Sequence, residues 1–211
     1  MLCTVKIVLA SGNMHKKKEF TAIFQGHTLL LPADIGIKFH HDETGTTFLE
    51  NALGKARTLH LMMRQTGGEP LPVISDDSGI SLPALDGAPG VYSARYGHAE
   101  AGRELSDEER NRLLLDVMKD KKDRRAFFVC AMVFLIDEYR FFTAQETWEG
   151  LLAEKPMGGG GFGYDPLLYL PEEGCTVAQL EASKKNRLSH RAKAANTLKL
   201  LMEKLNEKTS H

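Results

Sequence analysis

Thr4-Val5-Lys6-Ile7-Val8-Leu9-Ala10-Ser11-Gly12-Asn13 is the stretch that decides the fold class. Its first seven residues are mostly aliphatic and β-branched, which reads as a buried strand. The apolar run gives way to Ser11-Gly12-Asn13, a small polar turn, and Phe20, Ile23 and Phe24 then recur at helical spacing. Strand, turn and helix in that order open an α/β unit and are the local form of many phosphate sites.

Working outward, Thr47-Phe48-Leu49-Glu50 fits a capping box, and Phe48, Ala52, Ala56, Leu59 and Met63 fall near one face of the helix it starts. Ser106-Asp107-Glu108-Glu109 fits a second box, with Leu113, Leu114, Val117 and Met118 behind it. Arg125 to Ile136 reads as a long strand, turned by Asp137-Glu138 into a second strand from about Tyr139 to Trp148. A last helix is expected from the N-cap Ser189, carrying Ala195, Leu198, Leu201, Met202 and Leu205. Early alternation with an antiparallel hairpin in the middle predicts an α/β fold around a mixed sheet. The stretches 84–90 and 156–166 read as loops rather than linkers, so residues 1–211 are expected to form one domain.

The 211 residues can bury a sizeable core, and a formal net charge of -1 gives no global pull toward nucleic acid or a membrane surface. Neither is expected as a partner, and an anionic ligand would need local positive charge. The apolar runs fall short of the roughly 20 residues of a membrane helix. Met1-Leu2-Cys3-Thr4 has no charged leader pattern. Cys3, Cys130 and Cys175 are odd in number and far apart, against a disulfide framework or a zinc site. A reducing cytoplasm is the expected setting.

Five segments carry chemistry. Val73-Ile74-Ser75-Asp76-Asp77-Ser78-Gly79 reads as a buried strand that stops on two carboxylates, which could bind a cation, activate water, or simply make a turn. Ser11 to Lys16 places a helix start beside Lys16, Lys17 and Lys18, leaving phosphate binding and a solvated lysine-rich turn both open. His40-His41-Asp42-Glu43 lacks the spacing of a zinc site, whereas oxygen ligands from Asp42 and Asp77 suit Mg²⁺. Gly158 to Pro166 allows close backbone approach, with an aromatic that could stack on a base or anchor the core. Ser183 to Arg191 gathers basic side chains before and inside a helix start, which suits an anionic ligand, an RNA patch or a solvated face.

Together these motifs resemble those of the inosine triphosphate pyrophosphatase family, in its bacterial dITP/XTP pyrophosphatase branch. The matching segments are Ser11-Gly12-Asn13-x-x-Lys16, Glu43-Thr44-Gly45-x-Thr47-Phe48-x-Glu50-Asn51-Ala52, Asp76-Asp77-Ser78-Gly79, and Gly87 through Tyr96. Gly160-Gly161-Phe162-Gly163-Tyr164-Asp165-Pro166 and Ser189-His190-Arg191 complete the set, in family order over nearly the whole chain.

The resemblance implies a two-lobed α/β fold with a long mixed β-sheet flanked by helices, a substrate cleft between the lobes, and a homodimer. It implies Mg²⁺-dependent cleavage of a purine nucleoside triphosphate (ITP, dITP or XTP) to the monophosphate and pyrophosphate. By position, Asp77 would accept the proton of the attacking water and bind metal with Asp42. Ser11, Gly12, Asn13 and Lys16 would hold phosphates, and Ser78 would touch substrate. Phe162, Gly163, Tyr164 and Asp165 would line the base and sugar site, completed by Lys185, His190 and Arg191. Donors such as His190 or Arg191 would pair with O6 of hypoxanthine or xanthine and reject the amino group of adenine. The chain departs from the family pattern at Asp42, often Glu, at His15, often Gly, and at Gly159, often Thr.

Overall fold

The structure is a computed structural model and describes residues 5–67 and 69–208. Cys3 and Thr4 lie outside the described residues, as does the side chain of Leu205. The elements are β1 (Lys6–Leu9), α1 (Met14–Ile23), β2 (Thr28–Leu30), α2 (Phe48–Gln65) and β3 (Val73–Ser81), then α3 (His98–Ala101), α4 (Asp107–Val117), β4 (Arg125–Leu135) and β5 (Phe141–Leu152). They end with β6 (Leu168–Leu170), β7 (Cys175–Thr176), α5 (Ala182–Leu188) and α6 (His190–Lys208). Seven strands form one sheet in the order β2-β1-β3-β4-β5-β6-β7. β1 is parallel to β2 and β3, whereas β5, β6 and β7 pair antiparallel, so the sheet is mixed as expected.

The chain divides into two compact units. The first comprises residues 1–77, 130–146 and 191–211, the second residues 78–129 and 147–190. In the first, strand alternation sends Ile7, Leu9 and Ile74 into a core with Phe20 of α1, Phe24 just past its end and Leu198 of α6. Their neighbours Val8, Ala10 and Val73 enter a separate core with Ala52, Ala56, Leu59 and Met63 of α2. Each fully buried aliphatic side chain here contributes about 1.5–3 kcal/mol. In the second unit, Ile80 of β3 and Leu82 just past its end pack with Leu114 of α4, Phe128, Trp148 and Leu168.

Both capping boxes form: the Thr47 hydroxyl accepts from the Glu50 amide and the Ser106 hydroxyl from the Glu109 amide. Three readings change. β3 does not stop on the carboxylates but continues to Ser81, because Ile80 and Leu82 still have a core to enter. β5 runs on to Leu152 rather than ending near Trp148. A helix not expected from the sequence, α5, takes up residues 182–188 ahead of α6, so Lys184, Lys185 and Arg187 lie within α5.

Candidate active site

The first unit holds the phosphate-type loop and the carboxylates. Asn13 caps α1, its side-chain oxygen accepting from the Lys16 amide at 3.2 Å, and the Ser11 hydroxyl accepts from the Asn13 amide at 3.1 Å. No acidic residue stands in the first turn of α1, so the positive end of the helix faces a turn that is itself cationic. Gly12 and Asn13 are exposed.

Alternation on β3 sends the adjacent carboxylates to opposite faces. Asp76 shares the face of Ile74 and meets α1 and α6: Lys16 Nζ lies 2.9 Å from its Oδ2 and Arg191 Nε lies 3.2 Å from the same oxygen. Arg191, 2% exposed, also pairs through Nη1 with Glu19 of α1. Burial alone would raise the pKa of Asp76, but Lys16 and Arg191 outweigh it and hold the carboxyl far below its ordinary range.

Asp77 shares the face of Val73 and meets α2. Its Oδ2 accepts from Asn51 Nδ2 at 2.9 Å, and its Oδ1 lies 3.5 Å from Lys55 Nζ. Lys55 also pairs with Glu43 Oε1 at 2.6 Å, and Asn51 Oδ1 accepts from the Gly45 amide at 2.8 Å. Burial raises the pKa of Asp77, opposed by Lys55 and reinforced by Glu43. The pKa of Lys55 is itself raised: burial lowers it, but Asp77, Asp76 and Glu43 together prevail. Two neighbours in sequence thus differ in character. Asp76 is locked as an anion, and Asp77 is a more basic carboxylate than usual.

Asp42 stands apart from this cluster in its contacts. Its Oδ1 lies 2.9 Å from His40 Nε2, and its side chain is 82% exposed. The carboxylate beside Lys55 and Asp77 is Glu43. Asn51, Lys55 and Glu19 were not singled out as site residues from the sequence. The signal for two of them was present: Asn51 and Lys55 are four apart on the apolar face of α2, beside Ala52 and Ala56, where polar side chains need a buried partner.

The second unit holds the glycine loop. Asp165 Oδ2 accepts from the Phe162 amide at 2.9 Å and from Lys185 Nζ at 2.6 Å. Lys185 Nζ lies 4.9 Å from the centre of the Phe162 ring, within reach of a cation–π contact. Gly161, at φ +75°, leaves no room for a side chain: a Cβ there would fall 1.8 Å from Asp165 Oδ2. Tyr164 is buried and donates its hydroxyl to the Ser93 carbonyl at 2.9 Å. His190 is buried with its ring 5.1 Å from that of Phe128. Ser78 is half-buried on β3, next in the chain to Asp77. The structure therefore brings Lys16, Asp76 and Arg191 together in the first unit, and Phe162, Asp165 and Lys185 together in the second.

This strand-borne carboxylate set, the cationic helix start and the glycine-aromatic loop define a nucleotide-processing class of α/β protein. The chain belongs to the Ham1 family, which it matches over residues 7–201. It is 47% identical over 190 residues to a dITP/XTP pyrophosphatase of Treponema denticola, covering 90% of this chain and 94% of that one. A Legionella pneumophila protein of the same name is 41% identical over 201 residues, covering 93% and 98%. Among solved structures, a HAM1 protein from Coxiella burnetii superposes with a TM-score of 0.83 at 36% identity, covering 95% of this chain and all of that one. The Staphylococcus aureus Ham1 protein gives 0.81 at 36% identity, covering 94% and 98%. The resemblance read from the motifs is thereby borne out.

Proposed function

We propose that this protein is a Mg²⁺-dependent pyrophosphatase that hydrolyses ITP, dITP and XTP to the monophosphate and pyrophosphate, clearing deaminated purines from the nucleotide pool. The observation that carries the reading is Asp77, a buried carboxylate with a raised pKa, steadied by Asn51 and Lys55, in a chain whose relatives are named dITP/XTP pyrophosphatases. A general base works best when its pKa is brought toward the operating pH, and burial moves Asp77 that way while Lys55 keeps it ionised.

In the reaction, water adds to the α-phosphorus and gives its proton to Asp77. The anhydride P–O bond breaks, and pyrophosphate leaves with the electron pair. The amides at the start of α1, Ser11, Gly12 and Asn13, with Lys16, bind the phosphate oxygens. Asp76, itself held by Arg191, fixes the Lys16 ammonium, so it need not be ordered when substrate arrives. Phe162, Gly163, Tyr164 and Asp165 form the base and sugar site, with Ser78 as a further substrate contact, and Lys185 and His190 offer donors to a base carrying O6.

The donors present suit the metal. Lys55 Nζ already lies among the carboxylate oxygens of Glu43 and Asp77, so this place accommodates a cationic group among oxygen ligands alone, the set Mg²⁺ takes. Asp77 would hold the ion, with Glu43 beside it through Lys55, and Asp42, whose exposed side chain contacts His40 here, would have to turn toward them to join as the second ligand. Bound there, the ion would offset the charge on the phosphate oxygens. The protein is read as a cytoplasmic homodimer. No helix among the described residues is long and apolar enough to cross a membrane.

Pyrophosphate release from ITP, XTP, dITP, GTP, ATP and a modified pyrimidine triphosphate tests the reading. Turnover should favour the deaminated purines and require Mg²⁺. Asp77→Asn should lose about 10²–10⁴-fold in kcat while still binding ITP. Near-normal turnover in that variant would overturn the assignment of Asp77, and intact ITP after prolonged incubation with wild type would favour a nucleotide-binding regulator.

A further inference from the structure

The peptide groups of Gly163 are gripped by two side chains of one helix. Asp107 is the first residue of α4 and Asn111 lies four residues on, so both project from the same helical face. Asp107 Oδ2 accepts from the Gly163 amide at 2.6 Å, and Asn111 Nδ2 donates to the Gly163 carbonyl at 3.0 Å. Arg110 pairs with Asp107 from one turn further along the helix. Gly163 stands at φ +61°, between Phe162 and Tyr164, and Asp107 and Asn111 line a pocket of about 340 Å³ together with residues 158–163.

A packing role does not explain Asn111. It is 4% exposed, and its Oδ1 has no hydrogen-bond partner among the described residues. A buried amide with one end unsatisfied costs stability, which an apolar side chain of like size would not. What Asn111 gains at that cost is the bond to Gly163.

We propose that Asp107 and Asn111 are positioning residues that hold the Phe162-Gly163-Tyr164 backbone in the conformation that receives the nucleobase. The inference rests on the reading of that loop as the base site. It assigns α4 a part in substrate selection, which neither its sequence nor the family match had given it.

Asn111→Leu separates this role from stability. It removes the donor to Gly163 and the unsatisfied oxygen together while keeping the heavy-atom count and the branch at Cγ. The expected result is a KM for ITP raised about tenfold, the loss of roughly one hydrogen bond's worth of binding, with kcat within about twofold of wild type. Its thermal midpoint should match wild type or exceed it, and amide exchange across residues 158–165 should quicken. Asp107→Asn, which keeps a side-chain oxygen able to accept from Gly163, should retain more ITP affinity than Asp107→Ala. Leu114→Ala, in the core of the same helix, should lower the thermal midpoint without moving KM.

An unchanged KM and unchanged exchange in Asn111→Leu would overturn the proposal. So would a rise in KM that merely tracks loss of stability across all four variants. Affinity for ITP is read in parallel by calorimetry. A wild-type protein without turnover would refute the proposed reaction, while the role of the α4 pair would still be decided by binding and exchange.

Discussion

Replacing Asn51 by Leu should weaken the fold and shift the acid limb of catalysis to higher pH. Asn51 is 1% exposed and bridges two segments, donating to Asp77 Oδ2 at 2.9 Å and accepting from the Gly45 amide at 2.8 Å. A bond to a charged group contributes about 1.5–3 kcal/mol and one to a neutral amide about 0.5–1.5, so the variant should lose about 2–4 kcal/mol. For a chain of this size that corresponds to a fall of roughly 5–15 °C in thermal midpoint. The Asn51 bond favours ionised Asp77 and opposes the effect of burial, so its removal lets the pKa climb further.

The sign follows from linkage. A carboxyl whose pKa is raised on folding costs stability once ionised and nothing when protonated in both states. The part of the loss that comes from ionised Asp77 should therefore be fullest at neutral pH and vanish below the ordinary value of 3.8. Thermal melts at several pH values and a pH profile of kcat/KM for ITP measure both arms. An acid limb that stays in place or moves to lower pH would refute the account of how Asp77 is held.

Two further outcomes follow from the same geometry. Gly161→Ala would place a methyl carbon on Asp165 at a backbone conformation that favours glycine, so Asp165 must leave Lys185 or the Phe162 amide. ITP affinity by calorimetry should fall about tenfold or more, the loss of at least one charge-assisted bond, and an unaltered affinity would contradict it. Asp76 has its pKa depressed, so its stabilisation is present above 3.8 and lost as pH falls from there toward the lower folded value. The difference in urea midpoint between wild type and Asp76→Asn should be large at pH 7, from a broken buried pair of about 3–5 kcal/mol, and should shrink steadily as the solution is made more acidic.

The frame was legible because local signals agreed. The Thr47 and Ser106 boxes fixed the starts of α2 and α4, and the unbroken apolar run Ile7-Val8-Leu9 announced a buried strand. α5 was not legible, since Ser183 to Arg187 carries no apolar stripe, and the helix is tied down by Leu188 against the core and by Lys185 pairing with Asp165, contacts that only the tertiary fold supplies. The end of β3 was misread because Asp, Ser and Gly favour turns when considered singly, whereas Ile80 and Leu82 carry the strand past them. At the site, motif order located the glycine loop and the carboxylates, but not their partners. Lys55 with Glu43, and Arg191 with Glu19, join residues distant in sequence, and pairing of that kind is decided by which helices pack on which face of the sheet.

β3 has one more consequence. The two carboxylates are chemically identical, and only pairing register separates a permanent anion from a tunable base. Inserting or deleting one residue between β1 and Asp76, with the rest of the strand slipping to follow, would turn each acid toward the other's helices. A slip one way would bring Asp76 to Asn51 and Lys55, a slip the other way would bring Asp77 to Lys16 and Arg191, and in each case the second acid would change face without reaching its neighbour's partners. The pleat therefore acts as the device that assigns roles to identical groups, and the link from β1 to β3 can vary in composition far more freely than in where it leaves the strand.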